Sequence, residues 1–182
     1  MEKKKILFFV ALAVVTVLFA SLAANVGSFT ELKDACVDDA DGDVAICGYG
    51  SFIKVYNREG ELIFYKSLNT EGGGGMYVQY IDSYLYVYLD RPDQLLVYDK
   101  DYNLLPESEN QSIYSSYRAS FERNTWDEWD RKDGCMFYRL DDLEYCYEKS
   151  PFWKNIFRNG ECRLFARGVN GEEITIYESN SK

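Results

Sequence analysis

The stretch CVDDADGDVAIC, Cys36 to Cys47, sets Asp39, Asp41 and Asp43 at alternate positions, with a glycine among them and a cysteine at each end. Three readings compete: a calcium loop, a metal–thiolate site, and a β-hairpin closed by a disulfide. Calcium fails on spacing. With Asp39, Asp41 and Asp43 as first, third and fifth ligands, the sixth position should be glycine and is Val44, and the twelfth should be glutamate and is Gly50. A four-cysteine zinc site wants a close C-x-x-C pair, and the chain has none. The hairpin fits. Asp41-Gly42 is a favoured pair for a two-residue type I′ turn, and strands running back from it bring Cys36 opposite Cys47. Directly opposed residues stand about 4.5–5.5 Å apart at Cα, a separation that a disulfide spans. The stretch predicts a hairpin with solvated acids on its turn and a Cys36–Cys47 bridge, and it calls for no metal or cofactor.

The β pattern continues outward. DVAICGYG, FIKVYN, ELIFYKSL, MYVQYI, YLYVYL and QLLVYD are short runs rich in Val, Ile, Tyr and Phe, broken by Gly, Asp, Asn and Pro, as strands and turns require. VAICGYGSFIKVYNREGELIF from Val44 and LYVYLDRPDQLLVYDKDYNLL from Leu85 match with a single gap. Each leads from a strand through a turn to V-Y-N/D, a charged turn and a leucine. A third copy, CYEKSPFWKNIFRNGECRLF from Cys146, brings its cysteines along. Asp34-Ala35-Cys36 recurs as Asp133-Gly134-Cys135, and Cys47 recurs as Cys146, again eleven apart. This predicts a second bridge, Cys135–Cys146, and leaves Cys162 at an apolar position as a buried small hydrophobe. Gly60 stands where the turn after VYN needs a left-handed residue. Tyr102 holds that place in the second copy, and Asn159-Gly160 offers a tighter turn in the third.

These repeats resemble the blades of β-propeller proteins, over roughly residues 34–105 and 133–178, on the motif V-Y-[ND]-x-x-x-x-L. The resemblance implies a binding or scaffolding module, and it carries over no catalytic residue because none is matched. A closed propeller needs four or more blades, and three copies are present. The expected fold is therefore mainly β: antiparallel propeller-blade-like repeats, as an incomplete propeller or an open β-sheet assembly, preceded by one N-terminal transmembrane helix. A truncated relative of a longer propeller is another reading of the same count. EGGGGMYVQY, from Glu71, lacks the lysine and hydroxyl of a phosphate-binding loop and precedes a strand, so it reads as a flexible inter-repeat loop.

The N-terminus sets location. A short tail, residues 1–5 (MEKKK), precedes the uncharged run Ile6–Ala24, ILFFVALAVVTVLFASLAA. At about 1.5 Å per residue this run nearly matches a hydrocarbon core of about 30 Å. The lysines before it should stay cytoplasmic and hold the remainder outside. A secreted form released by signal cleavage near Ser21-Leu22-Ala23 is the rival reading. A spacer, residues 25–33, then leads to the extracytoplasmic domain, 34–182, where thiols are free to oxidise. Beyond Lys5 the chain carries 17 basic and 29 acidic residues, a net of −12, which argues against nucleic acid and against anionic lipid surfaces as partners. There is no histidine, so serine–histidine and cysteine–histidine catalysis, histidine-ligated zinc and imidazole switching are all absent.

One segment departs from the repeats. The insertion 106–134 holds Ile113, Tyr117 and Phe121 at helical spacing, then NTWDEWDRKDG. Trp126 and Trp129 could stack on a sugar ring or a peptide while Asp127, Glu128 and Asp130 make polar contacts. The competing reading is that one tryptophan anchors the insertion to a sheet and the acids are solvated. The sequence thus points to a non-enzymatic binding, sensing or interaction module with an unidentified protein or glycan ligand. A carbohydrate-active protein using Trp126–Asp130 is the runner-up. As to assembly, either the insertion covers one exposed end of the repeats in a monomer, or two chains join as a homodimer.

Overall fold

The computed structural model describes residues 32–48, 51–69, 75–92, 94–106, 129–132, 135–149 and 162–179. Within them the chain is strand and turn, with no helix. The tail, the apolar run Ile6–Ala24 and the trio Ile113, Tyr117 and Phe121 lie outside the described residues.

Among the described residues twelve strands form three antiparallel meanders, none of them closed. Sheet 1 runs β1 (Leu32–Val37), β2 (Val44–Gly48), β3 (Phe52–Tyr56) and β4 (Leu62–Ser67). Sheet 2 runs β5 (Met76–Ile81), β6 (Tyr84–Leu89) and β7 (Gln94–Tyr98). Sheet 3 runs β8 (Asp130–Lys132), β9 (Cys135–Leu140), β10 (Leu143–Lys149), β11 (Cys162–Gly168) and β12 (Glu173–Glu178).

The repetition is real at the level of single hydrogen bonds. After β3, β7 and β11 comes the same five-residue turn: Asn57–Glu61, Asp99–Asn103 and Gly168–Glu172. In each, the first residue's N–H donates to the last carbonyl and the fourth N–H to the first carbonyl, at 2.9–3.0 Å. The fourth residue is left-handed every time, Gly60 at φ 83°, Tyr102 at 59° and Gly171 at 78°. In sheet 2 the fourth strand shrinks to a bridge between Tyr98 and Leu104, with Leu105 N–H donating to Val97. The third copy of the turn is therefore Gly168–Glu172, one strand beyond the expected Asn159-Gly160, which lies outside the described residues. The link from β10 to β11 is longer than that from β2 to β3, so an alignment made by length alone slips there.

Sheet 1 is the middle layer. Cys36, Ala45, Cys47, Ile53 and Val55 pack with Met76, Val78, Leu85 and Val87 of sheet 2. Ala35, Val37, Val44, Ile46 and Tyr56 pack with Tyr145, Leu164, Ala166 and Ile176 of sheet 3. Successive strand residues point to opposite faces, and here both faces are covered. That is why VAICG is apolar without alternation and buried at all five positions. Asp34 fastens the first boundary. Wholly buried, it accepts the N–H groups of Ala35 at 3.1 Å and of Val78 at 3.0 Å, tying β1 to β5. Beside it the Cys47 thiol donates to the Met76 carbonyl at 3.3 Å. Burial, and after it the Asp34 carboxylate, push this thiol's pKa well up, so it remains a protonated donor.

The register corrects both expected bridges. The first turn is wider than Asp41-Gly42. Asp38 N–H donates to the Asp43 carbonyl, Gly42 N–H donates to the Asp38 carbonyl, and the Asp38 carboxylate takes the Ala40 N–H at 3.1 Å. That carboxylate opens the loop early, as aspartate does in turns. Cys36 then faces Ala45 and Cys47 faces Asp34. The β9–β10 turn falls on Asp141-Asp142, so Cys135 faces Glu148 and Cys146 faces Phe137. Each cysteine pair shares a face but sits on the diagonal, where Cα atoms are about 7–8 Å apart, beyond a disulfide's usual span. None of the five cysteines is in a disulfide.

Candidate functional site

All the hairpin turns that follow odd-numbered strands of sheets 1 and 2, with the β9–β10 counterpart of sheet 3 and its five-residue turn, gather at one end of the layers. The loop Asp38–Asp43 is their meeting point. The Asp43 carboxylate accepts the Tyr102 hydroxyl of sheet 2 at 2.5 Å, and Asp38 accepts the Ser83 hydroxyl at 3.4 Å. From sheet 3, the Tyr138 hydroxyl donates to Asp39 at 2.6 Å and the Tyr145 hydroxyl to the Gly42 carbonyl at 3.0 Å. Arg58 reaches from the β3–β4 turn to Asp142. One loop thus holds both neighbouring sheets. The end it organises is acidic: Asp38, Asp39, Asp41, Asp43, Glu59, Glu61, Asp82, Asp99, Asp101, Asp141, Asp142 and Glu172 stand against Arg58 and Lys100.

The hydroxyls of this hub act as hydrogen-bond donors. Tyr80 and Tyr102 lie with their hydroxyl oxygens 3.1 Å apart, and since Tyr102 donates to Asp43, Tyr80 donates to Tyr102. Burial first, then the bond to Asp43, pushes the Tyr102 pKa up. Burial pushes Tyr80 further still, with Cys36 and Tyr102 adding to it. Burial also takes Tyr145 up to about 12. These hydroxyls keep their protons at neutral pH. Asp43 is raised too, chiefly by burial and then by Asp41 and Asp38, with the Tyr102 bond opposing. The network fits a set of pins between layers. Among the described residues, no group of three or more acids or cysteines could hold a metal ion.

The outer face of sheet 3 carries the other concentration of charge. Arg139 and Arg167 flank Glu144 at 2.8 and 4.0 Å, and Arg167 and Arg163 both reach Glu173. The two guanidiniums lie over the buried Phe165 ring at 5.3 and 4.4 Å, a favourable cation–π geometry. A hollow of about 270 Å³ opens between Arg139, Asp142, Glu144 and Arg167. It falls below the usual range of a small-molecule site, and its arginines already have carboxylate partners. Cys146, on the same face, is pushed up to about 12 by burial and then by Glu144, so its thiol keeps its proton at neutral pH.

Of the ligand candidates read from the sequence, Trp126, Asp127 and Glu128 lie outside the described residues. Trp129 is buried in the core between sheets 1 and 3, its ring 5.8 Å from that of Tyr138. It anchors β8 and presents no stacking face to solvent. Asp130 is exposed on β8. Sequence reasoning missed Tyr80, Tyr138 and Tyr145, whose partners stand 22, 99 and 103 residues away. Tyr102 did carry a signal, as a tyrosine where the repeat wants glycine. Compared with known proteins, the chain matches no family model and no curated protein.

Proposed function

We propose that this chain is a membrane-anchored, extracytoplasmic binding module without catalysis, its three sheets standing as blades of an incomplete propeller. The blade reading is supported by the order of the layers. A simple stack would put the second sheet in the middle, whereas here sheet 1 lies between sheets 2 and 3, the order of a ring whose first and last members are neighbours and whose gap falls between sheets 2 and 3. The observation that carries the binding reading is the convergence of turns on Asp38–Asp43. Tyrosine hydroxyls and carboxylates there hold one another, so the end is a rigid surface, and its charge favours a protein partner with a basic face.

The test uses the full chain against a panel of extracellular proteins and glycans, read for binding and for turnover. Saturable binding to a basic protein, weakening with salt and with Asp41→Asn plus Asp141→Asn, supports the proposal. Turnover of any bound molecule, or binding indifferent to salt and to both substitutions, contradicts it.

A further inference from the structure

Sheet edges invite pairing with other chains, and proteins blunt them with charge, bulges, short strands or covering segments. Among the described residues the outer edges of this fold follow that rule with one exception. β8 is three residues, Asp-Arg-Lys. β12 pairs irregularly with β11 near Leu164 and carries glutamate at both ends. β7 is buried past Gln94 and its end is covered by Leu104 and Leu105, at Tyr98 and Val97, and β1 and β5 are joined through Asp34.

β4, LIFYKS, has little of this protection. Every residue except Phe64 is exposed, with Leu62, Ile63 and Tyr65 at 52, 44 and 56 %. Its irregularity lies between Leu62 and Phe64, where Ile63 has no partner on β3, and Phe64 to Ser67 is regular. It contains no acid and one cation, Lys66, in a chain of formal charge −10. Two acidic bodies that meet along this strip therefore bring no carboxylates of the strip itself together.

We propose that β4 is a self-association edge. Two copies of the chain pair their β4 strands antiparallel about a two-fold axis, joining two four-stranded sheets into one. A two-fold axis normal to the sheet keeps each residue on its own face, so only residues of like parity can oppose. Centring on Phe64 sets Ile63 opposite Tyr65 of the second copy, a favoured aromatic–β-branched pair formed twice. Lys66 of each copy then lies towards the Glu61–Leu62 end of the other, beyond the irregularity near Tyr56, so no like charges are opposed.

Sedimentation of the full chain in a mild detergent tests this. The expected result is a dimer whose dissociation constant rises at least about tenfold with Tyr65→Lys or with Ile63→Lys, at an unchanged circular dichroism spectrum. Because both positions are exposed, the fold should survive either change. Mixing the Ile63→Lys chain with a Tyr65→Glu chain should restore dimers, since the centred register opposes these two positions. A chain monomeric at about 100 μM, or a dimer indifferent to both lysine substitutions, overturns the proposal. A dimer weakened by both that the mixture fails to restore overturns the register.

Discussion

The turns Asn57–Glu61 and Asp99–Asn103 make the same two backbone hydrogen bonds and the same reversal, yet one places glycine at its left-handed position and the other tyrosine. Gly60 bears φ 83° without strain and lets sheet 3 come close: a Cβ there would lie 2.9 Å from the Thr175 carbonyl oxygen. Tyr102 takes φ 59° at a cost of about 1–2 kcal/mol, and long-range contacts offset it. Its ring stacks on Phe64 at 5.2 Å and 15°, and its hydroxyl bridges Tyr80 to Asp43. A glycine turn here serves close approach between sheets 1 and 3. A tyrosine turn serves attachment between sheets 1 and 2. Repeats of one backbone plan thus fasten to their neighbours by opposite means.

The largest expected effect comes from breaking the tyrosine side of this comparison. Tyr102→Ala removes the ring and the hydroxyl while keeping an unfavourable backbone, and should cost about 3 kcal/mol in denaturant unfolding. Tyr102→Gly should be milder by about 1 kcal/mol, because it relieves the left-handed strain. Equal losses in the two variants would show that the turn is not strained. On the glycine side, Gly60→Ala should cost about 2–3 kcal/mol, from positive φ plus the contact with Thr175. Gly171→Ala has the same φ problem but nothing within 4 Å of its Cβ, and should cost about 1–2 kcal/mol. If the Gly171 change were the worse, the close approach at Gly60 would not be limiting.

A smaller effect lies in pH. The Asp43 pKa is raised by folding, so its contribution is fully present below its ordinary value near 3.8 and is lost as pH rises through the raised one. Asp43→Asn still accepts the Tyr102 hydroxyl but does not titrate. The wild type should therefore lose melting temperature relative to this variant as pH rises from about 3 to 6. A gap that widens in favour of the wild type would reverse the sign of the burial argument.

Much of the fold was readable from local pattern. Strand positions followed the Val/Ile/Tyr runs, and the V-Y-N and V-Y-D motifs each end a third strand, because period-two burial and turn residues are written locally. Register was not. Whether a hairpin turns on two residues or four depends on whether Asp38 caps the loop with its own carboxylate, and that single difference moved Cys36 from Cys47 to Ala45. The third copy slipped for a similar reason, since the length of the β10–β11 link is not a local property. The hub of tyrosines was nearly silent in the sequence, because each hydroxyl finds its acceptor through layer packing. Among its members only Tyr102 broke a local rule, and strained or functional positions are where such breaks collect.

The layer order rests on contacts that methyl-to-aromatic and methyl-to-methyl nuclear Overhauser effects read directly. In the full chain, Ile46 should show cross-peaks to Tyr145 and Leu164 of sheet 3 and none to sheet 2. Its neighbour on the opposite face, Ile53, should show them to Met76 and Val87 of sheet 2 and none to sheet 3. Cross-peaks from Ile46 to sheet 2, or none from Ile46 to sheet 3, would contradict a first sheet held between the other two.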